Sequence, residues 1–224
     1  MVATTNMTRG TTAHVVRDQL LQDFMQGNFL PGMKLQMDEL AERYAVSRTP
    51  IREALILLVQ DGLLDSAGNY GFTMHVPTME ELEEMCDIRC ALECLAVEKL
   101  ITRGVPPELP QRLRENLAAL REATDHKTLN QLDYEFHAMI CDSCGAPLLS
   151  KTLRRNMLLD AIFNYMGSFL PERVATARSP VRAIVRRHGQ IIDAIEAKDI
   201  KKARKAMFTH LAYAFSFYKL FADK

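Results

Sequence analysis

Asp133 and His137 stand four residues apart in LDYEFHAMI, so a helix there carries both on one face. Alone, such a pair is more often a surface aspartate near a histidine than a binding site. Two further histidines add weight. His188 lies in VRRHGQIIDAIEAKD beside Ile191, Ile192 and Ile195, and His210 lies in AMFTHLAYAF beside Met207, Leu211 and Ala214. A lone histidine on an apolar stripe is usually a core residue with a satisfied hydrogen bond. Three imidazoles on three helices, joined by one carboxylate, form a set that suits zinc, nickel or a related divalent ion.

A second chemistry is written between Val46 and Leu64, VSRTPIREALILLVQDGLL. Ser47 or Thr49 can cap a helix start, and Pro50 fits a first turn, where its missing N–H costs nothing. Ile51, Leu55, Leu58 and Leu63 recur at helical spacing and give one buried face. Arg48, Thr49 and Arg52 gather at the N-terminal end on the faces left free. A helix with an apolar back and guanidinium forks at its tip is what a DNA major groove accepts. On the two arginines alone, an ordinary amphipathic helix with solvated charges is the simpler reading.

The surrounding elements change that balance. Val16, Leu20 and Phe24 predict a first helix over about 12–26, ended by Gly27. LPGMKL reads as a turn, and Met37 to Tyr44 as a second, short helix. A third helix follows from Ser47. Two ribbon strands follow at Leu63–Ser66 and Phe72–Val76, joined through 67–71, where Gly68, Asn69 and Gly71 supply the positive-φ residues of a tip. Helix, turn, helix and ribbon is the order of a winged helix-turn-helix, here residues 1–78. After Pro77 only helical patterns remain, over about 80–102, 108–124, 128–144, 148–167, 181–197 and 200–221. In the first, Leu82, Met85, Ile88, Leu92, Leu95 and Val97 form the expected buried stripe. Residues 79–224 therefore read as an all-α, six-helix antiparallel bundle, and the whole chain as mostly α.

Composition narrows the classes without choosing among them. The chain has 224 residues, 48% of them hydrophobic and 25% charged, with formal net charge zero. These are ordinary values for a soluble globular protein. The longest apolar run, Ala54 to Val59, is far too short to span a membrane, and the first sixteen residues lack the apolar core of a signal peptide. Five cysteines, an odd number, point to a reducing compartment, and the expectation is a cytoplasmic protein. Residues 1–78 hold six Lys/Arg against eight Asp/Glu, a net charge of −2. DNA affinity would then rest on a local patch at Arg43, Arg48 and Arg52 and on a homodimer reading two half-sites.

GNFLPGMKLQMDELAERYAVSRTPIREALILLVQDGLL resembles the N-terminal domain of GntR-family transcriptional repressors. The LPG turn, the VSRTP-x-REAL block and the DGLL exit into the wing stand at that family's spacing. The resemblance implies binding to a double-stranded DNA operator through Arg43, Ser47, Arg48, Thr49, Arg52 and Gly71. The chain departs from the family at Met37-Asp38, where Glu-Arg is usual and the arginine helps to contact DNA.

From about Met79 the chain is similar to the FCD ligand-sensing domain of the FadR subfamily, in its VanR-like six-helix branch. The similarity rests on IRCALECLA, LDYEFHAMI, HGQIIDAIEAKD and AMFTHL. It implies a divalent metal held by Asp133, His137, His188 and His210, and Ala146 stands where the family commonly has Asn. On an octahedral ion these four leave two positions, enough for a small chelating organic acid. Arg89, otherwise a salt-bridge partner of Glu93, becomes a candidate for the effector's carboxylate. Asn156, Asp160 and Asn164 form a polar stripe, solvated by default, from which Asn156 and Asn164 are candidate pocket residues. Cys86, Cys90, Cys94, Cys141 and Cys144 read as structural. The implied function is a metabolite-responsive regulator. The alternatives are a metal-dependent hydrolase, for which no second base stands at a readable spacing, and a metal sensor.

Overall fold

The computed structural model describes residues 9–66, 71–167 and 178–222. The chain divides into two compact units, Met1–Val76 and Pro77–Lys224.

In the first unit, α1 (Arg9–Met25) buries Ala13, Val16, Leu20 and Phe24 and stops at Gly27, φ 72°. α2 (Met37–Arg43) and α3 (Arg48–Gln60) are joined by a tight link at Ala45, φ 53°. α3 buries Ile51, Ala54, Leu55 and Leu58 completely. Burying Leu- or Ile-sized side chains is worth roughly 1.5–3 kcal/mol each, so this face anchors the helix and leaves its tip in solvent. Arg17 donates through Nε and Nη2 to Asp61 Oδ2 at 3.1 and 2.8 Å, tying α1 to the end of α3.

The ribbon has three strands where the sequence suggested two. β1 (Lys34–Leu35), β2 (Leu64–Ser66) and β3 (Phe72–Met74) pair antiparallel in the order β1-β3-β2. The register sets Leu64 opposite Met74, and both Ser66 and Leu35 opposite Phe72. LPGMKL is thus a turn that ends in a strand. Gly32, at φ 74°, donates its N–H to the Met74 carbonyl, and Met33 accepts from the Met74 N–H, both at 2.9 Å. Two residues are too few to show alternation in a sequence. The expected tip, 67–70, lies outside the described residues; Gly71 has φ 100°.

Among its described residues, the regular structure of the second unit is helical: α4 (Met79–Arg103), α5 (Leu109–Glu122), α6 (His126–Ser143), α7 (Pro147–Gly167), α8 (Arg178–Glu196) and α9 (Ile200–Ala222). α4 opens with a capping box between Thr78 and Glu81, Asp125 caps α6, and Asp199 accepts from the Lys202 N–H at the start of α9. α4 packs against α6, α7 and α9, while α5 lies on α6 and α8. Leu100, Leu113, Phe136, Ile191, Ile195 and Met207 fill the centre.

The stripe expected on α4 is only partly buried: Ile88 is 44% and Leu95 37% exposed. The face turned inward carries Arg89, Cys90, Glu93, Cys94, Ala96, Val97 and Leu100. Two charged residues and two thiols occupy positions that a hydrophobic pattern would have assigned to leucine. No described helix is long and apolar enough to cross a membrane.

Candidate metal centre and nucleic-acid interface

α6, α8 and α9 bring Asp133, His137, His188 and His210 together. One ligand atom from each lies within 4.8 Å of the others, and the three histidines are buried. Nε2 of His210 sits 3.0 Å from Nε2 of His137 and 3.3 Å from Nε2 of His188, while Asp133 Oδ1 lies 3.3 Å from His188 Nε2. The ring of Phe136 stacks on His188, centroids 3.8 Å apart and planes within 5°, which fixes that imidazole's tilt.

The donor set fits a divalent ion in two ways. Two imidazole nitrogens on one ion, each at about 2.0–2.1 Å, stand roughly 3.0–3.4 Å from each other; the observed spacings are 3.0 and 3.3 Å. Without a cation, two neutral imidazoles facing nitrogen to nitrogen share at most one proton. Charge is the second argument. Around the cluster, Glu93, Asp133 and Asp160 are three carboxylates beside the guanidinium of Arg89. With the histidines neutral and Glu93 and Asp133 ionised, at least one negative charge remains beside Arg89, and a second where Asp160, raised by burial, is also ionised; a divalent cation balances this excess.

The electrostatics agree with neutral imidazoles. Burial pushes His188 down from the usual histidine range, although the Asp133 hydrogen bond opposes it. Burial, followed by the neighbouring imidazoles, pushes His210 well below that range. For Asp133, burial opposes ionisation, but the hydrogen bond with His188 outweighs it and holds the carboxyl below the usual carboxylate range.

Arg89 is engaged on both sides. Its Nε donates to Glu93 Oε1 at 2.7 Å, and its Nη1 to Asp160. Glu93, 2% exposed, also accepts from His137 Nδ1. Glu93 and Asp160 are the buried charges that sequence reasoning did not place. The available signal was a glutamate four residues after an arginine in an apolar segment, which reads equally as a surface pair. The polar stripe of α7 turns inward: Asp160 is buried, and Asn156 Oδ1 is buried without a hydrogen-bond partner among the described residues. The Asn164 side chain lies outside the described residues.

In the first unit, Ser47, the α3 N-cap, is exposed with Arg48, Thr49 and Arg52 around the start of the helix. Arg48 Nε lies 3.1 Å from Asp38 Oδ1, with both side chains mostly in solvent. Arg43 is held differently. Its Nη2 pairs with Asp23 at 2.9 Å, and its guanidinium lies over the rings of Phe29 and Tyr44.

A short three-stranded wing behind a helix with an exposed arginine tip, and a separate helical unit with a buried His/Asp cluster, define a one-chain transcriptional regulator. Residues 12–74 match the gntR family of bacterial regulatory proteins and residues 84–213 match the FCD domain. The chain belongs to the GntR family, in its FCD-containing group. It is 31% identical over 199 residues to the HTH-type transcriptional regulator YdhC of Bacillus subtilis (strain 168), covering 86% of this chain and 84% of that protein. It is 30% identical over 201 residues to the HTH-type transcriptional repressor GlaR of Escherichia coli (strain K12), covering 86% and 89%. The solved structure of E. coli McbR/YncC shares the fold, with TM-score 0.80 at 22% identity over 99% of this chain and 100% of that one. These relatives are regulators of transcription, not enzymes.

Proposed function

We propose that this regulator is a cytoplasmic, homodimeric repressor whose helical unit binds a divalent metal and, through it, a small organic acid that changes operator affinity. The observation that carries the reading is the convergence of Asp133 with three buried imidazoles within 4.8 Å in an FCD-type bundle. Asp133, His137, His188 and His210 would hold the ion. When bound, it supplies a Lewis-acidic anchor for a carboxylate. Asn156, with its unpartnered buried oxygen, supports a polar wall for such a ligand. A ligand shifts operator affinity only by as much as it prefers one conformational state over another.

For DNA, Ser47, Arg48, Thr49 and Arg52 would meet an operator at the α3 tip, with Gly71 at the wing. Arg43, already paired with Asp23, would contribute through position more than through a free guanidinium. The net charge of the first unit favours two half-sites read by a dimer.

Elemental analysis of wild type against His210→Ala tests the metal, and a thermal-shift screen of small carboxylic acids followed by an operator-binding assay tests the effector. Equal metal content in wild type and variant would refute the site. Metal that alone alters operator binding, with no acid acting further, would turn the reading to a metal sensor.

A further inference from the structure

We propose that Glu93 is the positioning residue for His137: it accepts the hydrogen bond from Nδ1–H, turns Nε2 into the cluster, and is itself held by Arg89, which Asp160 anchors in turn. The proposal rests on the metal reading above and deepens it.

A neutral imidazole carries one proton on one of two nitrogens, and only the other can ligate a metal. An ionised carboxylate accepts hydrogen bonds and donates none. His137 Nδ1 is in hydrogen-bond contact with Glu93 Oε2, so the proton sits on Nδ1, and the free lone pair belongs to Nε2. That nitrogen is the one 3.0 Å from His210 Nε2. The carboxylate cannot turn away. Its other oxygen takes Arg89 Nε at 2.7 Å, and Arg89 is anchored on its far side by Asp160. With Glu93 2% exposed, water does not compete for either oxygen.

The other two imidazoles lack this support. Nδ1 of His188 and of His210 is buried with no hydrogen-bond partner among the described residues. Among the described residues, His137 is thus the cluster histidine whose distal nitrogen meets a carboxylate. This gives Arg89 a task within the protein: it fixes Glu93 and leaves an incoming acid to other groups. Outer partners of this kind set ring orientation and raise ligand basicity, and their loss typically weakens metal binding about 10–100-fold.

Zinc is the probe, titrated into full-length metal-stripped protein against a chromophoric chelator. Glu93→Gln keeps shape and an acceptor but removes the charge; Glu93→Ala removes both; Glu93→Asp restores charge on a shorter arm. Zinc affinity is expected to fall about 10–100-fold in Glu93→Ala, less in Glu93→Gln, and to recover partly in Glu93→Asp. Ring ¹⁵N shifts of His137 in the metal-free protein should report Nδ1–H in wild type and a mixture of tautomers in Glu93→Ala. If the alanine variant does not fold, Glu93→Gln decides. Zinc affinity unchanged in the variants, even alongside a lower melting temperature, would reduce Glu93 to a packing role and overturn the proposal. Wild type that takes up no zinc would overturn the metal site itself along with this role, which separates the two failures.

Discussion

Asp38 faces the tip of the proposed recognition helix, and replacing it by asparagine isolates one charge. Its carboxylate lies 3.1 Å from Arg48 Nε, with the two side chains 77% and 64% exposed. An ion pair this exposed is worth only about 0.2–1 kcal/mol, so Asp38→Asn should hardly move the melting temperature. DNA binding should respond more. A carboxylate about 7 Å from a phosphate repels it by roughly 0.6 kcal/mol in water, close to threefold per protomer and about sevenfold over two half-sites. Releasing Arg48 adds to this and steepens the salt dependence by up to about 0.9 in slope for each new phosphate contact. Fluorescence anisotropy with a random-sequence duplex from 50 to 200 mM salt reads both quantities and needs no known operator. Part of the gain should vanish when Arg48→Ala is added. Equal affinity of wild type and Asp38→Asn at the lowest salt would refute the reasoning. A gain indifferent to Arg48 would leave the carboxylate's repulsion as its whole cause and refute the release of Arg48.

Three further outcomes follow from the same geometry. Stripping metal with a chelator should lower the melting temperature of the helical unit by roughly 5–15 °C if the ion binds well below its working concentration, and re-addition should restore it; calorimetry decides. Burial lowers His188 and His210, so their neutral forms are favoured by folding; that stability is present above the unfolded histidine value of about 6.5 and is lost as pH falls below it. Metal content, followed by elemental analysis, should therefore hold at pH 7 and fall only below about 6. Leu58→Ala, at a position with 0% exposure in α3, should cost about 2–5 kcal/mol and unfold the N-terminal unit first, seen as an early transition in thermal denaturation.

How far the sequence reaches depends on the kind of regularity involved. α3 was legible because Ile51, Leu55 and Leu58 repeat along a helix that is polar on its other side. α4 was legible as a helix but its buried face was not: it packs against three helices and carries Arg89 and Glu93 inward, so that face does not follow hydropathy, and Ile88 and Leu95 come out exposed. The Asp133–His137 pair was visible as an i, i+4 spacing. Its meeting with His188 and His210 depends on how α6, α8 and α9 pack, which no local spacing encodes; the resemblance supplied it. β1 escaped because two residues carry no pattern. Glu93 and Asp160 escaped because a buried charge looks like a surface charge until its partners are placed.

The chain of Asp160, Arg89, Glu93 and His137 also bears on how this lineage can change. Removing one member of a buried charge network typically costs about 3–5 kcal/mol because its partner is left uncompensated, whereas replacing the whole network by apolar residues can be neutral. Single substitutions along this chain therefore lead downhill in fitness from any starting point, even when the destination is sound. Descendants should keep all four or lose them together, with few intermediates. A related regulator that has abandoned the ion should show leucine- or phenylalanine-like residues at all four positions at once, and not a scatter of isolated replacements.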